Sequence, residues 1–278
     1  MLTRFAPSPT GWLHLGHAYA ALFAAAEARR SGGRFLLRLE DIDTTRSRPE
    51  YEQGIFEDLL WLGLSWEEPV RKQSEHFAEY RAALHQLQSM GLLYPCFCTR
   101  KEIQEEIARA GQAPHGPEEA VYPGTCKKLS PADVASRMAE GRDYALRLDL
   151  TKVMTQAGHD LLWEDLYRGQ FIADPSAMGD VVLARKDTPT SYHLAVVVDD
   201  AVQGITLVTR GEDLFTATPL HRVLQALLQL PVPQWKHHRL ITDDLGKRLA
   251  KRDQSRALRT LREEGMTAKE VRQQLGFS

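Results

Sequence analysis

Residues 4 to 17, RFAPSPTGWLHLGH, constrain the fold more than any other stretch of this chain. A short apolar approach, Leu2 to Phe5, runs into a loop stiffened by Pro7 and Pro9. Gly11 and Gly16 remove side chains where the backbone must turn or come close to another group. His14 and His17 stand at the mouth of an alanine-rich helical run, AYAALFAAAEARR, which ends at Gly32 and Gly33. Strand, tight loop and helix N-terminus in succession make an anion site, because unpaired N–H groups and the helix dipole both favour negative charge there. Two imidazoles beside such a site can donate hydrogen bonds to a phosphoryl group as charge builds on it.

At 278 residues the chain can bury one large core or two to three small ones. It has no low-complexity segment, no apolar run of membrane-spanning length and no signal-peptide layout. Three cysteines, an odd number, argue against a disulfide framework and for a reducing, cytoplasmic location without membrane contact. The net charge of −2 does not announce a nucleic-acid binder. The distribution is more informative: Lys236 to Ser278 carries eleven Lys/Arg against six Asp/Glu, a local +5 that leaves −7 on the rest. That basic segment suits a phosphate backbone, although a solvated basic helix has the same composition. No exposed apolar stripe demands a dimer, so a monomer is expected.

The first third alternates as α/β folds do. A helix is expected from about His17 to Arg30, a strand from Arg34 to Asp41, and an amphipathic helix from about Pro49 to Leu62 burying Ile55, Leu59, Leu60 and Trp61. Ser74 is placed to cap a helix reaching Met90, with Gly91 just past its end. From about Tyr94 the texture changes: Cys96, Cys98, Cys126 and the loop AGQAPHGPEEAVYPG interrupt the pattern through Pro175. Regularity returns with DVVLARKD. SYHLAVVVDDAVQGITLVTRGED then reads as strand, loop, strand. A helix over Pro219 to Leu230, a short strand near His238 to Ile241 and a single helical stretch in the tail complete the chain. The organisation implied is a nucleotide fold in two halves, 1–93 and 179–241, split by an insertion at 94–178 and followed by a loop and tail at 242–278.

Chemistry at a nucleotide α-phosphate needs cations on the departing pyrophosphate. Gly246-Lys247-Arg248-Leu249-Ala250-Lys251-Arg252 supplies a glycine-hinged loop with four of them. The histidine motif and this loop together resemble the two signatures of class I aminoacyl-tRNA synthetases. RFAPSPTGxLHLGH, LRLEDIDTTR, VVVDD and TRGEDL, in this order, narrow the resemblance to the glutamyl branch and span residues 4 to 252. The resemblance implies a Rossmann-type α/β catalytic domain with an inserted, zinc-containing acceptor-end-like domain and a short basic helical C-terminal segment. ATP, carried with Mg²⁺, would lie at the C-terminal ends of the strands, as ligands do in open α/β sheets. His14, Gly16, His17, Arg248 and Lys251 would bind it, with His14, His17 and Lys251 catalytic.

L-glutamate needs cations for its carboxylates, ideally planar arginines in two-point contact, and an anion for its ammonium. By resemblance, Arg4 and Arg210 bind carboxylate, Tyr192 adds a hydroxyl, Glu40 takes the amino group, and Phe5, Ala6, Pro7 and Ser8 line the same pocket. Cys96, Cys98 and Cys126 with one further ligand would make a closed zinc site. Spacing alone does not name the fourth ligand, for which His115 is the simplest choice; the resemblance points to Tyr122, in the pattern C-x-C…Y-x3-C. The zinc would be structural.

The chain stops about 26 residues after the cation loop, too early for the anticodon-reading region of a full glutamyl-tRNA synthetase. That architecture resembles the truncated paralogues that esterify glutamate to the queuosine base at the wobble position of tRNA(Asp). The alternatives are a minimal glutamyl-tRNA synthetase charging a tRNA 3′ end, an HxGH-type small-molecule nucleotidyltransferase, or a non-catalytic RNA-binding paralogue. Two departures from the family pattern, Arg248 for the first lysine and Ala250 for the serine of the second signature, imply slower activation.

Overall fold

The computed structural model describes residues 1–109, 121–158, 160–241 and 256–277. β1 (Leu2–Phe5) is buried along its whole length. α1 (Leu15–Arg30) follows and returns the chain to β2 (Arg34–Leu39), which pairs in parallel with β1 from Leu2↔Arg34 to Phe5↔Leu37. α2 (Pro49–Trp61) has Pro49 in its first turn, where a missing N–H costs nothing. It leads to β3 (Glu67–Lys72), parallel to β2.

After α3 (Phe77–Ser89), β4 (Leu93–Cys96), α4 (Arg100–Arg109), α5 (Pro131–Ala139), β5 (Ala145–Leu148) and α6 (Leu150–Ala157) come the hairpin strands β6 (Leu162–Asp165) and β7 (Gly169–Ile172), then β8 (Val182–Ala184). β4, β5 and β8 form an antiparallel sheet of their own. The stretch 94–178 therefore serves two sheets, because β6 pairs instead with a later strand, β10 (Gln234–His238), through Trp235↔Asp165.

α7 (Tyr192–Val202), β9 (Leu207–Gly211), α8 (Thr218–Leu227) and β10 (Gln234–His238) complete the second half. β9 and β10 are parallel. β9 meets β1 at its start, where Thr206 N–H donates to the Leu2 carbonyl at 3.0 Å and Leu2 N–H donates to Thr206 Oγ1 at 2.8 Å. Two hydrogen-bonded sheets, β3-β2-β1 and β9-β10-β6-β7, thus come side by side with β1 next to β9, and the chain order reverses between those two strands. Ligands of doubly wound sheets bind at that reversal, beyond the carboxyl ends of the strands.

Two large cores flank this arrangement. One gathers Tyr80, Leu84 and Leu87 of α3 with Leu194 to Val198 of α7, Leu220 and Leu224 of α8, and Trp235. The other joins α1, β2 and α2 to α9 (Leu258–Glu263) and α10 (Ala268–Gln274), burying Leu258, Leu261, Val271 and Leu275. Trp12 helps close the second core: a Cβ at Gly54 of α2 would lie 2.5 Å from the Trp12 ring, and the Arg259 guanidinium sits 4.3 Å from that ring's centre.

Several expectations are corrected. SYHLAVVVDD is helix, not strand: residues 194 to 200 are all buried, and a helix that is apolar on every side reads like a core strand. Ser74 does not cap α3; it lies in a short 3-10 turn and turns to Asp41, donating its N–H at 2.8 Å and its hydroxyl at 2.6 Å. Leu60 is 62% exposed, because the core side of α2 is filled by Ile55 and Leu59. The strand expected at His238–Ile241 lies earlier, at Gln234–His238. The tail forms two short helices, separated at Gly265 and restarted by a Thr267–Glu270 capping box.

Candidate active site

His14 is the N-cap of α1, with extended backbone. Its Nδ1 accepts the Gly16 N–H at 3.1 Å, while Nδ1 of His17 accepts the His14 N–H at 3.2 Å. This is a reciprocal capping box built from two imidazoles instead of a hydroxyl and a carboxylate. With each Nδ1 occupied as an acceptor, the proton of each neutral ring belongs on Nε2. The two rings lie 3.9 Å apart. No acidic residue occupies the first turn, so the positive helix end keeps its field. Gly16 leaves room for the His14 ring, since a Cβ there would sit 3.0 Å from His14 Cε1 and push that ring aside by a few tenths of an ångström.

The C-terminal ends of β1, β2 and β9 bring the charged groups together. Arg4, 4% exposed, donates Nε to Asp200 Oδ1 at 2.8 Å, Nη2 to Asp200 Oδ2 at 3.2 Å, and Nη1 to the Thr209 carbonyl at 3.1 Å. Arg38, fully buried, donates to the same Asp200 at 2.8 Å and to Glu40 at 3.2 Å. Burial lifts Glu40 above the usual carboxylate range, opposed by Arg38 and Arg4. Burial also opposes ionisation of Asp200, but the two arginines hold it below its ordinary value. Pro7 lends its carbonyl to the Glu40 N–H at 3.0 Å, fixing the loop against β2. Phe5 is buried in the second core, and Ala6 and Ser8 are half-buried on the loop.

Arg210 is different. It is 6% exposed, yet among the described residues no carboxylate forms an ion pair with it. Nε donates to His237 Nε2 at 3.1 Å, Nη1 meets His221 Nδ1 at 3.0 Å, and Nη2 donates to Thr218 Oγ1 at 2.6 Å. Tyr192, at the start of α7, is also hydrogen-bonded to it. Burial lowers the Arg210 pKa, and the nearby charge of Arg4 adds to that. Asp200 and Tyr192 oppose that lowering, but the direct hydrogen-bond partners of Arg210 are neutral, and a buried guanidinium so placed is costly unless an anion completes it.

The sulfur atoms of Cys96, Cys98 and Cys126 lie within 4.8 Å of one another. Cys98 and Cys126 are 3.4 Å apart, and the Tyr122 hydroxyl is 3.6 Å from Cys98 Sγ. The Cys126 N–H donates to that hydroxyl at 2.8 Å, leaving its oxygen facing the thiols. Zn–S bonds of about 2.3 Å place tetrahedral sulfurs about 3.8 Å apart, so this donor set fits zinc. Burial pushes the Cys98 thiol up to about 12. A cavity of about 370 Å³ bordered by Cys98, Cys126, Arg137 and Arg142 opens beside the cluster.

Arg248, Lys251 and His115 lie outside the described residues. The chain re-enters description at Arg256, and Ala257 pairs with His14 while Leu258 N–H donates to the Leu13 carbonyl at 2.8 Å. Arg38, Asp199 and Asp200 lie in the motifs LRLEDIDTTR and VVVDD, but the sequence alone assigns them no role. Nor does it single out Asp165, His221 and His237. The motifs were the available signal for the first three; nothing in the order of residues joins the last three to Arg210.

Residues 1–276 match the family model described as tRNA synthetases class I (E and Q), catalytic domain. The chain is 50% identical to the glutamyl-Q tRNA(Asp) synthetase of Rhodobacter capsulatus, covering all of both chains. It is 46% identical to that of Nocardia farcinica, over 96% of this chain and 81% of the relative. Among solved structures, a glutamate tRNA ligase from Elizabethkingia meningosepticum in complex with its amino acid superposes with a TM-score of 0.75 at 30% identity, over 96% of this chain but 53% of the ligase. No described helix is long and apolar enough to cross a membrane. The chain belongs to the class I tRNA synthetase family of the glutamate and glutamine enzymes, in its glutamyl-Q tRNA(Asp) synthetase branch.

Proposed function

We propose that this chain activates L-glutamate with ATP and transfers it to the queuosine base of tRNA(Asp). The observation that carries the reading is the buried guanidinium of Arg210, hydrogen-bonded to neutral groups and without a carboxylate ion pair among the described residues, near Arg4 and Tyr192, with the imidazole pair at the neighbouring helix end. In the first step a glutamate carboxylate oxygen attacks the ATP α-phosphorus, and the bond to the bridging oxygen of pyrophosphate breaks. Nε2–H groups of His14 and His17 stabilise the α-phosphoryl oxygens as charge accumulates, and Lys251, with Arg248, neutralises the pyrophosphate. In the second step a queuosine hydroxyl attacks the mixed anhydride and AMP leaves.

Arg4 is largely neutralised by Asp200, so it orients a carboxylate without adding much net charge, whereas Arg210 brings a full positive charge. This asymmetry favours glutamate over the nearly isosteric glutamine. Glu40 is read as the acceptor for the ammonium group. Cys96, Cys98, Tyr122 and Cys126 would hold one structural zinc, which pins the β4–β5–β8 unit as an insertion that meets RNA and supplies no chemistry to the reaction.

Glutamate-dependent ATP–pyrophosphate exchange tests the first step. Comparing transfer to queuosine-containing and queuosine-free tRNA(Asp) tests the second. Exchange with transfer only to the modified tRNA is expected. Equal transfer to both, or charging of tRNA(Glu), would assign the chain to 3′-end aminoacylation instead.

A further inference from the structure

Arg210 sits at the junction of two hydrogen-bond relays that no part of the reaction just described uses. In one, Asp165 Oδ2 accepts a hydrogen bond from His237 Nδ1–H at 2.6 Å, which leaves Nε2 of that ring as the acceptor for Arg210 Nε–H at 3.1 Å. Asp165 is itself fixed by the N–H groups of Tyr167, Arg168 and His237, at 2.9, 3.1 and 3.0 Å. In the other, His221 accepts from Arg210 through Nδ1, so its proton lies on Nε2 and faces His193 Nδ1 at 3.1 Å. Thr218 Oγ1 accepts from Arg210 and lies 3.2 Å from His237 Nε2, closing the first relay into a ring.

Asp165 and the ring of His237 are wholly buried, and His221 is 3% exposed. A guanidinium has five N–H donors in one plane. Three are taken by His237, His221 and Thr218, all neutral acceptors, and Tyr192 stands beside them, so the plane is set by groups that carry no charge. Burial, and then the charge of Arg210 itself, keep both imidazoles in the neutral form that can accept.

We propose that His237, with its tautomer set by Asp165, and His221 are positioning residues that hold the Arg210 plane for the glutamate carboxylate and thereby set the preference for glutamate over glutamine. This rests on the reading of Arg210 as a carboxylate ligand. The acceptor is the property that matters, so His221→Gln and His237→Gln, whose amide oxygens can still accept, should retain function that His221→Leu and His237→Leu lose. Asp165→Asn adds a sharper case. Its amide would donate to His237 Nδ1, move the ring proton to Nε2, and turn a donor toward Arg210 Nε–H.

The experiment is ATP–pyrophosphate exchange on the full chain with glutamate, glutamine and ATP each varied. Hydrogen bonds to charged groups contribute about 1.5–3 kcal/mol, so the Leu variants and Asp165→Asn should raise the glutamate KM by about tenfold or more and narrow the glutamate-to-glutamine ratio of kcat/KM. The ATP KM should stay at the wild-type value, and the Gln variants should recover most of the loss. Parallel losses for ATP and glutamate with no rescue by Gln would make these residues merely structural and overturn the proposal. An unchanged glutamate KM in soluble, folded Leu variants would do the same. A wild-type protein that shows no glutamate-dependent exchange would overturn the functional reading and this inference with it.

Discussion

Arg4 and Asp200, 196 positions apart in sequence, meet in a two-point ion pair at 2.8 and 3.2 Å beneath the strand reversal. Asp200 also holds Arg38, and its neighbour Asp199 accepts from Arg71 at 2.8 Å, Gln73 at 2.7 Å and Tyr80 at 2.9 Å. The end of α7 thereby ties β1, β2, β3 and α3 to one point. Asp200→Asn would leave two buried guanidiniums short of a counter-charge. Breaking a buried pair from one side costs about 3–5 kcal/mol, and a loss of that size in urea denaturation is expected. A change below about 1 kcal/mol, the range of surface pairs, would mean the network is not what holds the strands together.

The imidazoles around Arg210 make stability depend on acid in a definite direction. Burial, with the charge of Arg210, lowers His193 and His237 to about 4 and His221 well below its ordinary value. Unfolded histidine titrates near 6.5, so between pH 6.5 and about 4 the unfolded chain binds more protons than the folded one. Stability is complete above that window and is lost as pH falls through it, by on the order of 3 kcal/mol for each of His193 and His237. Denaturation midpoints at pH 7, 6 and 5 should fall steadily, and His193→Asn should flatten the slope. A midpoint independent of pH over this range would contradict the neutral cage.

What could be read from the order of residues was whatever is local. The loop before α1, the glycine beneath His14 and the cysteine spacing all depend on neighbours a few positions away. α7 was misread because Leu194 to Val198 is buried on every side, which erases the 3.6-residue period that would have marked a helix. The partners of Arg210 were invisible for another reason. Asp165, His221 and His237 come from β6, α8 and β10, and only the pairing of β10 with both β9 and β6 brings them together. The glutamate residues were reached through family resemblance, which supplies positions but not the relays behind them.

Gly16 offers a test of the imidazole pair that leaves both rings in place. A methyl group at this position would stand 3.0 Å from His14 Cε1 and 3.2 Å from Nδ1, closer than a side chain can remain without moving the ring. Alanine is otherwise favoured over glycine in a helix, by about 1 kcal/mol. Gly16→Ala should therefore keep or raise the melting temperature while lowering the exchange rate by about tenfold or more, the scale of a misplaced transition-state donor. Full activity in this variant would show that the position of the His14 ring is not critical.

The cysteine cluster should answer to metal analysis and to local, not global, unfolding. Cys96, Phe97, Tyr122 and Cys126 form a small core separate from the two large ones. Purified protein is expected to hold one zinc per chain, and a strong chelator should release it. Hydrogen exchange should then quicken in β4 and around Tyr122 while α1, α7 and α8 stay protected. Cys126→Ser should abolish stoichiometric zinc, and Tyr122→Phe should weaken it while keeping the three thiolates. Protein isolated without chelator and without zinc would remove the metal from the structural account.

The cation loop carries the last test. Its downstream flank is anchored beside the imidazole pair, by the pairing of Ala257 with His14 and the Leu258-to-Leu13 hydrogen bond at 2.8 Å. The upstream flank follows β10, whose last residue, His238, pairs with Gly211 next to Arg210. Lys251 lies six positions before Ala257, a reach of at most about 22 Å, which includes the end of α1. A lysine that neutralises pyrophosphate acts mainly as the bond to it breaks, so its removal should lower kcat more than it raises the KM for glutamate. Lys251→Ala should cut exchange by about a hundredfold or more at saturating ATP, with an unchanged melting temperature. Lys251→Arg should recover part of that loss, because the charge is kept but the compact ammonium is not. If Lys251→Ala exchanges at the wild-type rate, the pyrophosphate is neutralised from elsewhere, and the proposed pairing of the two signatures fails.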